Sequence, residues 1–451
     1  MNEVRIAFIP IVRPLFRGAS MGLWEESLKT LETLKVNLGF TIAYQAQPVA
    51  EEAEALACVK AIQDANIDLI LIQHVTFATG ELLMPILEMD LPTALWAMPE
   101  FTTEGPLPQN ALCGMNMGLS FDVKRELPLK WFYGKADEGN FKKNFENTIR
   151  AIKGMKAVQQ SKVLWVGGTA PGFFRLESVP ELSMQIEKLP LEAVSEQMAS
   201  ISEDEVQAYL EQTDEPLDFD KAALSQTLKL ELALKKLSDG YDGVALRCWP
   251  EIPEQADAMC CATFARLADD DKIFACEGDM AGLASMLTVG AISGQSPILM
   301  DLSHIDANDD ACMFWHCGNV SKAWAKEGKT NLINHFNRKI PAVRHMQLHP
   351  GKVSGLRFLE DKKAVVFAGE VIDRSDGFDG VFGWISKLRW AGQPLSASSF
   401  LANILHHRLP HHLTWGRDDH EQAILECCFW MGYQPLEAHP QAENGLVSWP
   451  A

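Results

Sequence analysis

Four positions far apart in the chain carry side chains suited to holding a cation and moving protons. Glu251 follows the run Leu246-Arg247-Cys248-Trp249-Pro250, and Asp279 closes Ala275-Cys276-Glu277-Gly278. His316 ends the apolar run Ala311–His316, and the pair His411-His412 follows Pro410. Two carboxylates with one or two imidazoles, leaving coordination positions open, suit a divalent ion such as Mn²⁺. Each residue also has a plainer reading. Glu251 and Asp279 can be solvated loop acids or helix N-caps, since Asp279 opens the helix-like stretch 280–292. His411-His412 can be a wet loop beside His406 and His407. His316 can be a buried histidine satisfied by a backbone carbonyl. Spacing alone does not choose, because only a fold brings these positions together.

The elements around them would do so. Residues 243–248 and 273–276 read as buried strands, with a helix over 254–268 between them. A strand–helix–strand crossover puts both strand C-termini at one sheet edge, where open α/β sheets bind ligands. The pattern begins much earlier. Residues 4–12, 41–45, 67–73 and 92–96 are strand-length apolar runs, alternating with helical spacing over 21–38, 50–65 and 80–89. A helix over 112–126, a strand over 130–133 and a helix over 139–158 close this unit. Polar Gln159-Gln160-Ser161 marks a boundary, and the pattern restarts at 162–166 before the turn Gly167–Gly172. A glycine turn after a strand can cradle phosphate, but this one lacks dinucleotide and P-loop spacing and reads as a plain tight turn near a ligand. Helices are expected over 202–212, 219–238 and 280–292, and strands over 297–301 and 311–316. After residue 335 the texture changes to short strands over 353–358, 364–368, 381–388 and 396–405, with a closing helix over 418–431. The domains are therefore read as 1–160 and 161–335, both doubly wound α/β, and 336–451, a small antiparallel β unit.

Composition narrows the partners. The 451 residues are 47% hydrophobic, ample for several cores, and the net charge is -20. Such acidity argues against nucleic acid and anionic membranes and leaves room for cations and neutral sugars. The run 4–12 has no basic lead and no cleavage site, so it reads as a first strand, and no run reaches transmembrane length. Ten cysteines without a Cys-x-x-Cys pair, most in apolar contexts, suggest reduced thiols in a cytoplasmic protein. Of twelve histidines, only His74 precedes residue 300.

Short motifs along the whole chain resemble the L-fucose/L-arabinose isomerase superfamily, in its fucose-isomerase-like branch. They are Ile9–Phe16, Gln73–Phe77, Leu112–Asn116, Gly167–Phe173, Cys248–Glu251, Glu277–Gly282, Trp315–Asn319, Gly351–Ser354 and Pro410–His412. The resemblance implies two Rossmann-like α/β domains followed by a β-barrel-like domain. It also implies aldose–ketose interconversion at a divalent metal, usually Mn²⁺. Carried over by motif, Glu251 and Asp279 would be the carboxylate ligands and proton-transfer groups, and His412 the imidazole ligand. His316 matches a metal-ligand position of the arabinose branch, so a fourth ligand or a substrate contact is implied. Arg13 matches an arginine sent into a neighbouring subunit's active site, which implies a homo-oligomer, a trimer or hexamer. Arg13, Asn116, Trp249 and His316 are the expected substrate contacts. The chain is shorter than typical fucose isomerases in its C-terminal part, which leaves the sugar open among pentose, 6-deoxyhexose and anionic, for instance sulfonated, hexose.

The implied chemistry suits these residues. A metal chelating two adjacent sugar oxygens acidifies the neighbouring C–H, and carboxylates move the protons through an ene-diol. The rival reading is a sugar-binding or sensor protein, since two α/β lobes clasping a sugar is also the plan of periplasmic binding proteins. The β domain and the metal-type residues weigh against it.

Overall fold

The computed structural model describes residues 3–121 and 127–439. They fall into two compact units, Met1–Met155 with Glu426–Gly432, and Lys156–Leu425 with Tyr433–Ala451.

The first unit is built on a parallel sheet of β1 (Val4–Ile11), β2 (Phe40–Gln45), β3 (Leu69–His74), β4 (Thr93–Ala97) and β5 (Leu129–Tyr133), in the order β2-β1-β3-β4-β5. β3 is buried at every position, as a strand covered on both faces must be. The helices are α1 (Leu23–Leu38), α2 (Glu52–Asp64), α3 (Gly80–Leu87), α4 (Ala111–Leu119) and α5 (Gly139–Gln159). The helix expected over 112–126 ends at Leu119, and its residues 122–126 lie outside the described residues.

The second unit opens with a smaller parallel sheet, β7-β6-β8-β9, from β6 (Lys162–Val166), β7 (Gln185–Leu189), β8 (Gly243–Leu246) and the short β9 (Phe274–Ala275). Its helices are α6 (Glu192–Ala199), α7 (Glu203–Glu211), α8 (Ser225–Leu237), α9 (Glu251–Ala256), α10 (Cys260–Asp269) and α11 (Met280–Ser293). Sequence reading overlooked β7 and α6. The single helix expected over 254–268 is two helices, because Asp257 takes a left-handed conformation, φ 50°, and ends α9.

The rest is one ten-stranded mixed sheet. It contains β10 (Ile298–Asp306), β11 (Ala311–His316), β12 (Asn331–Ile333), β13 (Val343–Gln347), β14 (Gly351–Phe358), β15 (Lys363–Ile372), β16 (Val381–Trp390), β17 (Gln393–Pro394), β18 (His412–Arg417) and β19 (Gln434–Pro435). Two corrections follow. β10 and β11, expected among the α/β strands, pair with β18 and β16 of this sheet. The stretch 396–405, expected as a strand, is helix α12 (Ala397–His406), because the Ser396 side chain accepts the Ser399 N–H and caps it. The closing helix is α13 (Glu421–Trp430).

Helix α11 explains how the site is held. Apolar on all sides and buried along nearly its whole length, it packs on β8 and β9 through one face and on β14 and β18 through another. Its N-terminus therefore lies where the ends of strands from both sheets meet. Register fixes the partners: Asp301 of β10 lies opposite His412 of β18 and, on its other side, opposite Trp315 of β11.

Candidate active site

Asp279 is the N-cap of α11, and its Oδ1 accepts the Gly282 N–H at 2.8 Å. Arg357, next to last in β14, donates to both of its oxygens, Nη1 to Oδ2 at 2.5 Å and Nη2 to Oδ1 at 3.0 Å. His412 Nδ1 completes the set at 2.9 Å from Oδ2. Burial alone would raise this carboxyl, but the Arg357 charge and His412 hold it well below the usual carboxylate range. An ionised carboxylate only accepts, so Nδ1 of His412 carries a proton, and in the neutral ring Nε2 presents a lone pair. A Cβ at position 282 would stand 2.4 Å from Asp279 Oδ2, so this tight cap requires glycine.

That lone pair faces other acceptors. His412 Nε2 lies 3.7 Å from Glu277 Oε2 and 4.0 Å from Asp301 Oδ1. Both His412 Nε2 and Asp301 Oδ1 are buried with no hydrogen-bond partner. Glu277 sits in the turn after β9 with φ 60°, an uncommon conformation for this residue type. The next residue is obligatorily glycine, because a Cβ at Gly278 would fall 2.0 Å from the Gly168 carbonyl oxygen. Glu277 Oε1 accepts the Trp249 indole N–H at 3.2 Å, and Oε2 lies 3.0 Å from His411 Nε2. Burial pushes the Glu277 carboxyl up, but His411 and His412 bring it, on balance, below its ordinary value. Burial pushes His411 down, but Glu277, Asp301 and Asp279 raise it on balance.

His316 adds an imidazole whose ring centroid is 5.5 Å from that of His412. Its Nδ1 accepts the Cys317 N–H at 2.8 Å, so Nε2 carries the proton and faces Cys276 Sγ at 3.6 Å. Two groups of ligand atoms thus converge within 4.8 Å, Glu277–His411–His412 and Asp301–His316–His412, sharing His412. Buried lone pairs facing one another without a donor between them are costly. Two carboxylates and imidazoles are the donors a borderline divalent cation takes, so the residues present fit such an ion.

The expected ligand set, Glu251, Asp279 and His412, is brought together only in part. Asp279 touches His412, but both its oxygens are already engaged. Glu251, first residue of α9, belongs to neither converging group. Its Oε1 pairs with Arg247 Nη2 at 3.1 Å, and its Oε2 is buried and unpartnered. Trp249 lies against Glu277, as described. Arg13 and Asn116 belong to the first unit, where both are exposed, and the Arg13 N–H donates to Thr76 Oγ1 at 2.7 Å. Sequence reading left Glu277 unassigned beside Asp279, and missed Asp301 and Arg357 altogether. The available signals were a carboxylate ending an apolar strand and a lone arginine inside another.

No family model matches the chain. It is 28% identical over 397 residues to the sulfoquinovose isomerase of Priestia aryabhattai, covering 84% of this chain and 88% of the relative. It is 26% identical to that of Alkalicoccus urumqiensis, over 69% and 74% of the two chains. It is 22% identical to that of Clostridium sp. (strain MSTE9), over 84% and 88%. A solute-binding protein of an ABC transporter from Agrobacterium vitis, solved with alpha-D-tagatopyranose, aligns over 65% of this chain and 90% of that one. Its TM-score is 0.19 at 16% identity, too low to carry an argument.

Proposed function

We propose that this chain is a divalent-metal-dependent isomerase that interconverts an aldose and a ketose, and that its sugar is sulfoquinovose or a closely related sulfonated hexose. Similarity to sulfoquinovose isomerases over 84% of the chain supports the reaction and the sugar. The observation that carries the metal is His412 Nε2, buried without a hydrogen-bond partner and shared by both groups of candidate ligands, 3.7 Å from Glu277 Oε2 and 4.0 Å from Asp301 Oδ1. These three residues would hold the ion, for which we propose Mn²⁺, with His316 in reserve because its Nε2 proton faces Cys276. A bound divalent cation would polarise the sugar carbonyl and acidify the neighbouring C–H.

The chain's own groups do the rest. Asp279 holds the proton on His412 Nδ1 and so keeps Nε2 free; metal-binding histidines are oriented in this way by a carboxylate. Because its oxygens are engaged, we assign proton transfer elsewhere. Glu251 Oε2, bare of donors, would take the proton from C2 and return it to C1, while Arg247 steadies Oε1. His411 Nε2, poised beside Glu277 with a raised affinity for its proton, would carry the proton between the two sugar oxygens. Phe173 stands edge-on to Trp249 at 5.4 Å and lies 5.4 Å from His411, forming an aromatic wall for the sugar. We further propose that a second copy, in a trimer or hexamer, supplies Arg13 and Asn116.

The test is ketose formation from sulfoquinovose by the full chain with added Mn²⁺, followed by NMR in D₂O. Ketose formation with solvent deuterium appearing at the reacting carbon is the expected result. A chain that forms no ketose from any aldose, and binds sugar equally well after chelation, is a sensor and not an enzyme. Light scattering tests the assembly, and an active monomer removes the second copy from the site.

A further inference from the structure

Trp249 is fixed at one edge by its indole N–H bond to Glu277 Oε1. Over the face of the same ring lies a guanidinium, Arg338 Cζ, 5.7 Å from the centroid. Arg338 is exposed, and it forms no ion pair among the described residues, although the chain carries 60 acidic residues against 40 basic ones. Its loop is nonetheless firmly built. Buried His335 accepts the N–H groups of Asn337 and Arg338 on its Nδ1, each at 3.2 Å, and its carbonyl accepts the Lys339 N–H at 2.8 Å. Phe336 packs on Trp315, the neighbour of His316, with centroids 5.5 Å apart. A braced loop therefore holds an unpaired cation one indole ring away from a candidate metal-binding carboxylate.

A six-carbon sugar laid along that ring would have one end at Glu277 and the other toward Arg338. With the carbonyl end at Glu277, Asp301 and His412, the carbon chain would run along the indole, whose apolar face suits C–H groups. The far end would then arrive at Arg338. A guanidinium is always charged and presents a planar fork of donors to oxyanions. We infer that Arg338 is a specificity-determining residue that reads the anionic group at the distal end of the sugar, a sulfonate on the carbon remote from the carbonyl. The inference rests on the proposed isomerase for the orientation of the sugar, and on the Trp249–Arg338 pair for the anion.

Binding of an unreactive pair of ligands tests it: a hexitol sulfonated at C6 and the same hexitol without the sulfonate, measured by calorimetry on the full chain with Mn²⁺. The wild type should prefer the sulfonated hexitol, and Arg338→Gln should collapse the ratio of the two affinities by roughly ten- to a hundredfold, the worth of a hydrogen-bonded charge. Arg338→Lys should restore part of the ratio. The wild-type preference should weaken with added salt, and that of Arg338→Gln should not. An unchanged ratio in Arg338→Gln, or a wild type without preference, overturns the inference. The two proposals fail separately. Ketose formation without sulfonate preference leaves the isomerase and removes the role of Arg338. A preference lost in Arg338→Gln, in a chain that forms no ketose, leaves Arg338 and removes the isomerase.

Discussion

Two arginines lie fully buried in the second unit, and their surroundings differ. Arg344 of β13 donates through Nε and Nη2 to Glu215 at 2.7 and 2.8 Å, and through Nη1 and Nη2 to Asp269 at 3.1 and 2.9 Å. Its Nη1 also reaches the carbonyls of Ala265 and Val320. Ser321 and Lys322 add donors to Asp269, and Thr330 adds one to Glu215. Arg357 instead grips Asp279 with both Nη atoms but leaves Nε unpartnered, and the next residues outward, His412 and Asp301, each keep a bare acceptor. The first network is closed and ties β13 to α10. The second is closed on the inside and open on one side. A closed polar network makes structure specific, whereas an unfinished one retains binding capacity for a group the chain does not supply.

The largest expected effect breaks the open network at its shared member. His412→Ala should reduce bound Mn²⁺ per chain and lower kcat/KM on the order of a thousandfold, corresponding to several kcal/mol of lost polarisation. Circular dichroism should stay native. Full metal content and activity in this variant would place the cation elsewhere.

Breaking the closed network should act on stability alone. Arg344→Met leaves the half-buried Glu215 and Asp269 without that arginine, with only Arg266 still 4.0 Å from Glu215, which costs up to about 3 kcal/mol, the low end for breaking a buried pair. Urea unfolding should show that loss, while the folded fraction binds metal as the wild type does. A parallel loss of metal affinity would mean that the two networks are one.

Asp279→Asn is milder. It keeps the shape and the cap but removes the charge that fixes the His412 tautomer and pairs with buried Arg357, so it lowers stability as well. Loss of such an orienting partner typically costs about 10- to 100-fold in metal affinity. Calorimetric titration with Mn²⁺ measures it, and an unchanged affinity would deny Asp279 its orienting role.

The smallest effect is a dependence on pH that the two networks share. Burial pushes Glu215 up, but Arg344, with Thr330 and Arg266, holds it on balance below its ordinary value. Asp279 is lowered in the same sense. A carboxyl with a depressed folded pKa contributes stability above its unfolded value, about 4.3 for Glu and 3.9 for Asp, and loses it as pH falls through the folded value. The contribution of these two carboxyls to the urea midpoint should therefore hold level from neutrality down to about pH 5 and fall below it. In Arg344→Met the Glu215 share of that fall should shrink, since Thr330 and Arg266 remain, and in Asp279→Asn the Asp279 share should vanish.

The legible part of the fold was the part set by local pattern. The continuous apolar runs of β1, β3 and β4 read as central parallel strands because burial on both faces leaves no polar alternation. Asp279 and His412 stood out in the sequence as candidates, and the structure places them in contact at 2.9 Å. What local pattern could not supply was partnership. Nothing near Asp279 in sequence says that Arg357, 78 positions away, takes both of its oxygens. That engagement is why we proposed Asp279 as the residue that orients the histidine and not as a ligand. Likewise the runs 297–301 and 311–316 were correctly strands, but a strand's sheet is decided by pairing, which has no local signature. Ser396 was the legible signal that was passed over, a cap ahead of a helix.

The pairing of Asp301 with His412 has a consequence for how such a chain can change over generations. Side chains alternate across a strand, so a one-residue slip turns every one of them to the opposite side. Adding or deleting a single codon within β18 would rotate His412 away from Asp301 and Asp279 together, even if every residue type were preserved. The exposed turn at 360–362, between β14 and β15, holds no candidate site residue, its ties being the Lys362 carbonyl to the Gln434 N–H and Glu360 to Arg175, and it can lengthen more readily. Relatives that keep the reaction should therefore differ in length at that turn and hold a fixed residue count from Asp301 to the end of β10 and through β18, a length constraint that percentage identity does not measure.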